Sequence, residues 1–276
     1  MTASGRPLFP SSSVAATFSP RFHKVLAEAN RVREHFGSRL SMIYVGKSDA
    51  ATARKFADAI EKLRLPQDSA VVYEEGDPAS GILAGARKLS VELLIAGALE
   101  RKPIHRQFLG DVARRLVREA ACSVMLFTQP ELEPKPFRHI VFMAEYSDHA
   151  QRALRRTLQL AEKENCERLY VIRNYTSFDK ARAARQGKSG KGVARTLEEE
   201  EIALQEFILA AGATAVPIEL RCIRGNTGFA ASNFVQAVEA NLLVVPLETR
   251  PEPKPKLPSR IAWVTDVIPC NLWMVR

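Results

Sequence analysis

Cysteine is scarce, with four residues in 276 at positions 122, 166, 222 and 270, and no two of them form a Cys-x-x-Cys pair. The five histidines, His23, His35, His105, His139 and His149, lack the spacing of metal ligands. Both facts argue against a zinc site or a disulfide framework. Long apolar runs are missing too: the longest, such as Leu242 to Pro246, fall far below the ~20 residues that span a bilayer. Residues 1–13 carry one Arg and no apolar stretch, so they read as neither secretory signal nor anchor, and a soluble cytoplasmic protein is the expectation. Signatures of catalysis are also absent. There is no Gly-x-x-x-x-Gly-Lys-Ser/Thr, Gly-x-Ser-x-Gly, His-x-Gly-His or Lys-Met-Ser-Lys-Ser. Cys122 and Cys270 begin apolar runs beside small residues or Pro269, where core thiols are expected rather than nucleophiles. The reading is a protein that is not an enzyme and holds no metal.

What is present is enough apolar sequence for two cores, 46% of the chain against 26% charged. The net charge of +9 is spread over both halves, 19 Lys/Arg against 13 Asp/Glu in residues 1–130 and 21 against 18 thereafter. Such a balance steers nucleotides, nucleic acid or anionic lipid toward the surface and equally keeps a protein in solution, so charge does not choose among them. Arg114, Arg115 and Arg118 form one face of a helix whose other face is Val112, Leu116 and Val117, an ordinary amphipathic pattern. Single-strand binding needs aromatic partners for such a patch, and only Phe108 is near, so no nucleic-acid partner is expected.

Apolar β-branched runs alternate with stretches of helical period, the pattern of a parallel sheet covered by helices on both faces. In the first half the strands are expected at 13–18, 39–45, 69–73, 91–96 and 122–128, with helices at 20–36, 48–63, 78–89 and 111–121. Ser19 and Ser48 are the expected caps of the first two helices. In the second half strands are expected at 138–145, 168–173, 216–223, 241–246 and 271–275, with helices at 148–165, 197–211, 228–240 and 260–268. Three landmarks recur in order: Phe18-Ser19 with Tyr146-Ser147, Gly76-Asp77 with Gly225-Asn226, and Ala121-Cys122 with Pro269-Cys270. The fold class is therefore α/β, two tandem five-stranded parallel-sheet domains of Rossmann-like type. Domain 1 covers 1–129, a proline-bearing linker 130–136, and domain 2 residues 137–276. An insertion at 174–195, with six basic residues and one acid, has no apolar period and reads as a mobile loop.

Ser19-Pro20 entering the first helix, Gly76-Asp77-Pro78-Ala79 before the third, and Leu94-Ile95-Ala96-Gly97 followed by a loop and Gly110 resemble the universal stress proteins. The stretch Gly76 to Phe127 carries the resemblance most strongly. It implies a non-catalytic protein of the stress response whose domain 1 binds an adenine nucleotide (ATP, AMP or a cyclic nucleotide) around Thr17, Ser19, Val45, Gly97, Arg101, Gly110 and Asp111. Nucleotide-binding members carry Gly-x2-Gly-x9-Gly-Ser/Thr. Here Gly97 and Gly110 hold the first and third glycine places, Glu100 replaces the second, Asp111 the Ser/Thr, and Thr17 the acidic residue at the end of the first strand. Glycines let N–H groups approach phosphate, and a helix N-terminus adds about half a positive charge. Carboxylates ~4 Å from phosphate oxygens are repelled by about 4 kcal/mol at an effective dielectric near 20, so a triphosphate is opposed. Arg101, Lys102, His105 and Arg106 either offset this for a less charged nucleotide or another anion, or simply solvate a loop.

In the second half Pro246, Thr249, Ser259 and Arg260 take the motif places and no motif glycine is left, while Glu145 keeps an acid at the strand end. Four prolines between Arg250 and Pro258 suit a surface cover or a partner-binding segment rather than a phosphate cradle. The alternative function is thus a regulatory or interaction module with decayed nucleotide sites. The stretch Phe108 to Arg114 and the tandem layout are similar to stress-type domains attached to cation/proton antiporters, which would make the chain a cytosolic partner or tail of one. The final strands, Val124-Met125-Leu126-Phe127 and Leu272-Trp273-Met274-Val275, are apolar at successive positions, and bare edges of that kind aggregate. They are expected to pair with each other in an intrachain pseudo-dimer, with further homo-oligomers open.

Overall fold

Strands buried on both faces read as unbroken apolar runs, and Leu93–Gly97, Ser123–Phe127 and Leu242–Pro246 are such runs, almost wholly buried. They belong to a computed structural model that describes residues 9–98, 100–101, 108–175, 196–224, 228–248, 257–265 and 268–276, with backbone alone at 100–101, 108 and 259–260. By contact the chain divides into two units. The first gathers the residues up to Lys135 with the C-terminal segment Asn271–Arg276, and the second gathers Pro136–Glu248 and Leu257–Cys270. The chain is an α/β protein whose sheets are dominated by parallel pairs.

In the first unit the elements run β1 (Ser11–Ala16), α1 (Phe22–Phe36), β2 (Arg39–Val45), α2 (Ala50–Lys62), β3 (Ala70–Glu74), α3 (Pro78–Lys88), β4 (Leu93–Gly97), β5 (Glu100–Arg101), β6 (Phe108–Leu109), α4 (Asp111–Glu119) and β7 (Ser123–Phe127). To these is added the chain's last strand, β12 (Asn271–Val275). The sheet order is β12-β7-β4-β1-β2-β3. All neighbours are parallel except β12, which runs antiparallel to β7 with Leu272 opposite Leu126, Trp273 opposite Met125 and Met274 opposite Val124. The two final strands therefore do pair. Trp273 is fully buried, with its ring centroid 5.9 Å from Phe9 and 5.6 Å from Phe36. Arg276 then donates to the Val117 carbonyl in the last turn of α4 and, at 3.4 Å, to that of Cys122.

The second unit comprises β8 (His139–Met143), α5 (Asp148–Lys163), β9 (Arg168–Tyr175), α6 (Leu197–Leu209), β10 (Ile218–Arg224), α7 (Gly228–Ala237), β11 (Leu242–Pro246) and α8 (Ser259–Ala262), the last continuing as a 3-10 turn to Thr265. Its strands lie in the order β10-β9-β8-β11, all parallel. The insertion's first two residues, Asn174 and Tyr175, extend β9, and 176–195 lie outside the described residues. The expected helix 260–268 is shorter, because Pro258 sets its start and regular α hydrogen bonding ends at Ala262.

Two expected caps are corrected. α2 is capped by Asp49, not Ser48: the Asp49 carboxylate accepts from the Thr52 N–H at 2.7 Å, a carboxylate being the stronger acceptor for an orphan N–H. α1 begins at Phe22 with Arg21 in the cap place, and Ser19 serves the turn before it. The α3 cap is Asp77, which accepts from Ser80 N–H at 2.9 Å and is tied to α4 through Arg115. Two buried glutamates anchor the linker's flanks. Glu28 of α1 accepts from the Glu131 N–H at 3.4 Å, and Glu164, at the end of α5, accepts from the Phe137 N–H at 3.0 Å.

Candidate functional site

Parallel strands end on one edge of a sheet, and ligands of open α/β folds bind beyond those C-terminal ends. The first unit brings three of the expected residues to this edge. β1 and β2 are in register at Ala16 and Tyr44, so Thr17 follows beside Val45, and β4, on the other side of β1, ends at Gly97. Thr17 is exposed and its carbonyl accepts from the Ser19 N–H at 2.8 Å. The half-buried Ser19 accepts at Oγ from the Arg21 N–H at 3.3 Å and at its carbonyl from the Phe22 N–H at 2.9 Å. Thr17 to Phe22 is thus a tight turn that launches α1 from the strand edge.

Packing bears on two of the expected site residues, Gly97 and Val45. A Cβ on Gly97 would stand 3.0 Å from Val25 Cγ2, so α1 crosses β4 closely here and a larger residue would require the valine to shift by a few tenths of an ångström. Val45 turns its side chain onto α3, where a Cβ on Gly81 would be 2.7 Å from Val45 Cγ2. Gly110 occupies the cap place of α4 with φ −65° and ψ 158°, an ordinary extended conformation, and offers no side-chain cap. Asp111 is exposed in the first turn, where its charge complements the helix dipole. Between Gly97 and Gly110 the chain is not simply a loop: Glu100 pairs with Leu109 and Arg101 with Phe108 in a two-stranded antiparallel ribbon. Lys102, His105 and Arg106 lie outside the described residues, as does the Arg101 side chain.

Sequence reasoning missed two features of this edge. Arg21 Nη1 donates to the Ala98 carbonyl at 3.0 Å and the Thr128 carbonyl at 3.2 Å, fixing a cation at the ends of β4 and β7. No motif announces it, since both acceptors are backbone atoms far along the chain. Phe18 packs against Phe22, Tyr44 and Phe56 with centroids about 5 Å apart (4.9, 5.0 and 5.0 Å), and Lys55 Nζ lies 4.8 Å over its ring. The strand edge between β1 and β2 is therefore aromatic and capped by an ammonium.

At the corresponding edge of the second unit an arginine stands over the turn's aromatic ring. Ser147 N–H donates to the Glu145 carbonyl at 2.9 Å, repeating the Thr17–Ser19 turn, and Tyr146 takes the place of Phe18. Arg173 lies 4.7 Å over the Tyr146 ring, pairs through Nε with Glu200 at 2.9 Å and donates through Nη1 to the Ala144 carbonyl at 3.3 Å. The Tyr146 hydroxyl donates to the Glu200 carbonyl at 3.3 Å. Burial, then Glu200, pushes the Tyr146 phenol up. Burial followed by Glu200 and Glu201 pushes the Cys222 thiol up to about 11. Burial also raises Cys122, Cys166 and Cys270. All four thiols are held protonated at neutral pH, the opposite of what a nucleophile needs. Among the described residues no group of three or more His, Cys, Asp and Glu could hold a metal, and no helix is long and apolar enough to cross a membrane.

The fold is an α/β fold whose parallel strands end on one edge, the edge where open α/β folds bind ligands. Residues 47–128 match the model of the Universal stress protein family, and the chain carries a domain of that family there. Over nearly its full length it is similar to solved structures at the level of fold. One is a universal stress protein from Archaeoglobus fulgidus DSM 4304, at 16% identity and TM-score 0.66, covering 97% of this chain and 98% of that one. Another is a functionally unknown protein from Pseudomonas aeruginosa PAO1, at 15% identity and TM-score 0.72, covering 97% of this chain and 92% of that one.

Proposed function

We propose that the protein is a non-catalytic, cytoplasmic stress-response protein of two sequence domains, 1–129 and 137–276, with the last strand of the second counted in the first compact unit, and that its first domain binds an adenine nucleotide or another small anion. The ligand place is the strand edge formed by Thr17, Ser19, Val45 and Gly97, closed by Arg101, Gly110 and Asp111. The observation that carries the reading is the meeting of three strand ends, Thr17, Val45 and Gly97, on the C-terminal edge of a parallel sheet. The fixed Arg21 guanidinium adds positive charge beside it, and the Phe18 and Tyr44 rings, tilted 48° to each other, offer apolar surface. Asp111 in the first turn of α4 opposes a triphosphate and favours AMP or a cyclic nucleotide over ATP. Calorimetry on the full chain with ATP, AMP and cyclic dinucleotides tests it; no heat at millimolar ligand removes the reading.

A second reading is a regulatory or interaction module, for example the cytosolic partner of a cation/proton antiporter. It is favoured by the second unit's strand edge, where Arg173, Glu200 and Tyr146 occupy the ligand place themselves, and by the packing role of Gly97. Recovery of the chain with membranes after gentle lysis is its expected result, and recovery only as a free soluble protein counts against it.

A further inference from the structure

The α6 helix carries apolar side chains on two opposite faces. Its inner face is Glu200, Leu204 and Phe207, all buried. That orientation is fixed by four contacts: Arg173 to Glu200 at 2.9 Å, the Tyr146 hydroxyl to the Glu200 carbonyl at 3.3 Å, Gln151 Nε2 to the Phe207 carbonyl at 3.1 Å, and Arg155 Nη2 to the Ala210 carbonyl at 3.2 Å. A capping box at Thr196 and Glu199 fixes its start. At 100° per residue, Ile202 and Leu209 fall on one line along the helix, away from Leu204 and Phe207. Ile202 is 51% and Leu209 69% exposed. A single exposed leucine needs no explanation, but two in line, one heptad apart, are the footprint of a helix contact.

The surroundings of this pair say what covers it. α6 contains five glutamates and no basic residue, in a chain whose net charge is +9. Glu200 is turned inward to Arg173; Glu198, Glu199, Glu201 and Glu206 are exposed. Nucleic acid and anionic lipid surfaces are repelled by such a face. A second copy docked through the same face about a twofold axis sets these glutamates against their equivalents. The complement that remains is a segment with two apolar residues about one heptad apart and Lys or Arg beside them, laid along the helix.

We propose that the outward face of α6 is a docking surface for a basic, amphipathic helical segment of a partner protein, with Ile202 and Leu209 as its anchors and Glu198, Glu199 and Glu206 as its charged rim. The inference is independent of the nucleotide reading. The test is a displayed library of helical peptides panned on the full-length protein, with the Ile202→Gln/Leu209→Gln chain, shown folded by circular dichroism, as counter-target. The expected result is enrichment of basic peptides with apolar residues a heptad apart. A synthetic copy of one should bind the double variant at least about tenfold more weakly, as loss of anchor residues does. Its binding should also weaken as salt rises from about 0.1 M to about 0.5 M. Peptides without a basic bias, equal binding to both chains, or no enrichment overturn the proposal. So does a concentration-dependent dimer that the double variant abolishes, which would make the occupant a second copy. If only a chain lacking 178–193 selects basic peptides, the protein's own basic stretch covers the face and the proposal fails.

Discussion

Replacing Trp273 by Ala tests whether the last strand belongs energetically to the first unit. The ring is fully buried and stands 5.9 and 5.6 Å from Phe9 and Phe36. Burying a tryptophan removes roughly 200 Å² from water, which at ~25 cal/mol per Å² is about 5 kcal/mol, reduced by residual burial in the unfolded chain. Large-to-small changes of this kind cost ~3–5 kcal/mol in practice, and about 4 kcal/mol is expected here. Among the described residues the indole N–H has no hydrogen-bond partner, so Trp273→Phe forfeits area and shape alone and should cost less than half as much. Hydrogen exchange by mass spectrometry is the assay. A 4 kcal/mol loss lowers protection about a thousandfold in the amides that open with Trp273, and these should include β7 and α1. Unchanged protection in α1 and β7, with β8 and β9 losing theirs instead, would refute the assignment of β12 to the first unit.

Gly97→Ala should destabilise the chain by about 1–2 kcal/mol through the new Cβ at 3.0 Å from Val25, and Val25→Ala in the same chain should recover part of that loss; urea midpoints of the two single variants and the double measure it. If the effects simply add, the glycine is not there for packing. A pH effect is expected at Cys222, whose thiol is raised from 9.0 to about 11 in the folded chain. A raised folded value means its contribution to stability is complete below about 9 and is lost as pH rises through about 11. Each tenfold change in proton affinity is worth ~1.4 kcal/mol, but Cys222 is half-buried and water screens it, so about 1 kcal/mol is expected. Denaturant melts on either side of this window should show a smaller alkaline loss in Cys222→Ala than in the parent chain, and equal losses would show that the thiol does not report folding.

The sheet was legible because its signal is local. A parallel strand buried on both faces must be apolar at consecutive positions, and Leu93–Gly97, Ser123–Phe127 and Leu242–Pro246 are. The caps were less so, since Ser48 and Asp49 are equally good on composition, and the choice is made by a 2.7 Å approach of Thr52 N–H that only the folded turn creates. The β5–β6 ribbon has two residues a side, too few for a period to show. Around the candidate site the failure is of a different kind. A motif glycine is read as room for phosphate, yet Val25 stands 3.0 Å from where a Cβ at Gly97 would be, and Val45, another expected site residue, packs onto Gly81 of α3. The cation at the strand edge is Arg21, held by the carbonyls of residues 98 and 128, and the cation that closes the second unit is Arg173, held by residues 144 and 200. Sequence spacing reports what a motif glycine permits, whereas the function of the place depends on which side chain arrives to fill it. In the second unit that side chain is an arginine already paired with Glu200, so the same turn that leaves Phe18 half-buried beside Lys55 sets Tyr146 beneath a cation whose charge is already answered by a carboxylate.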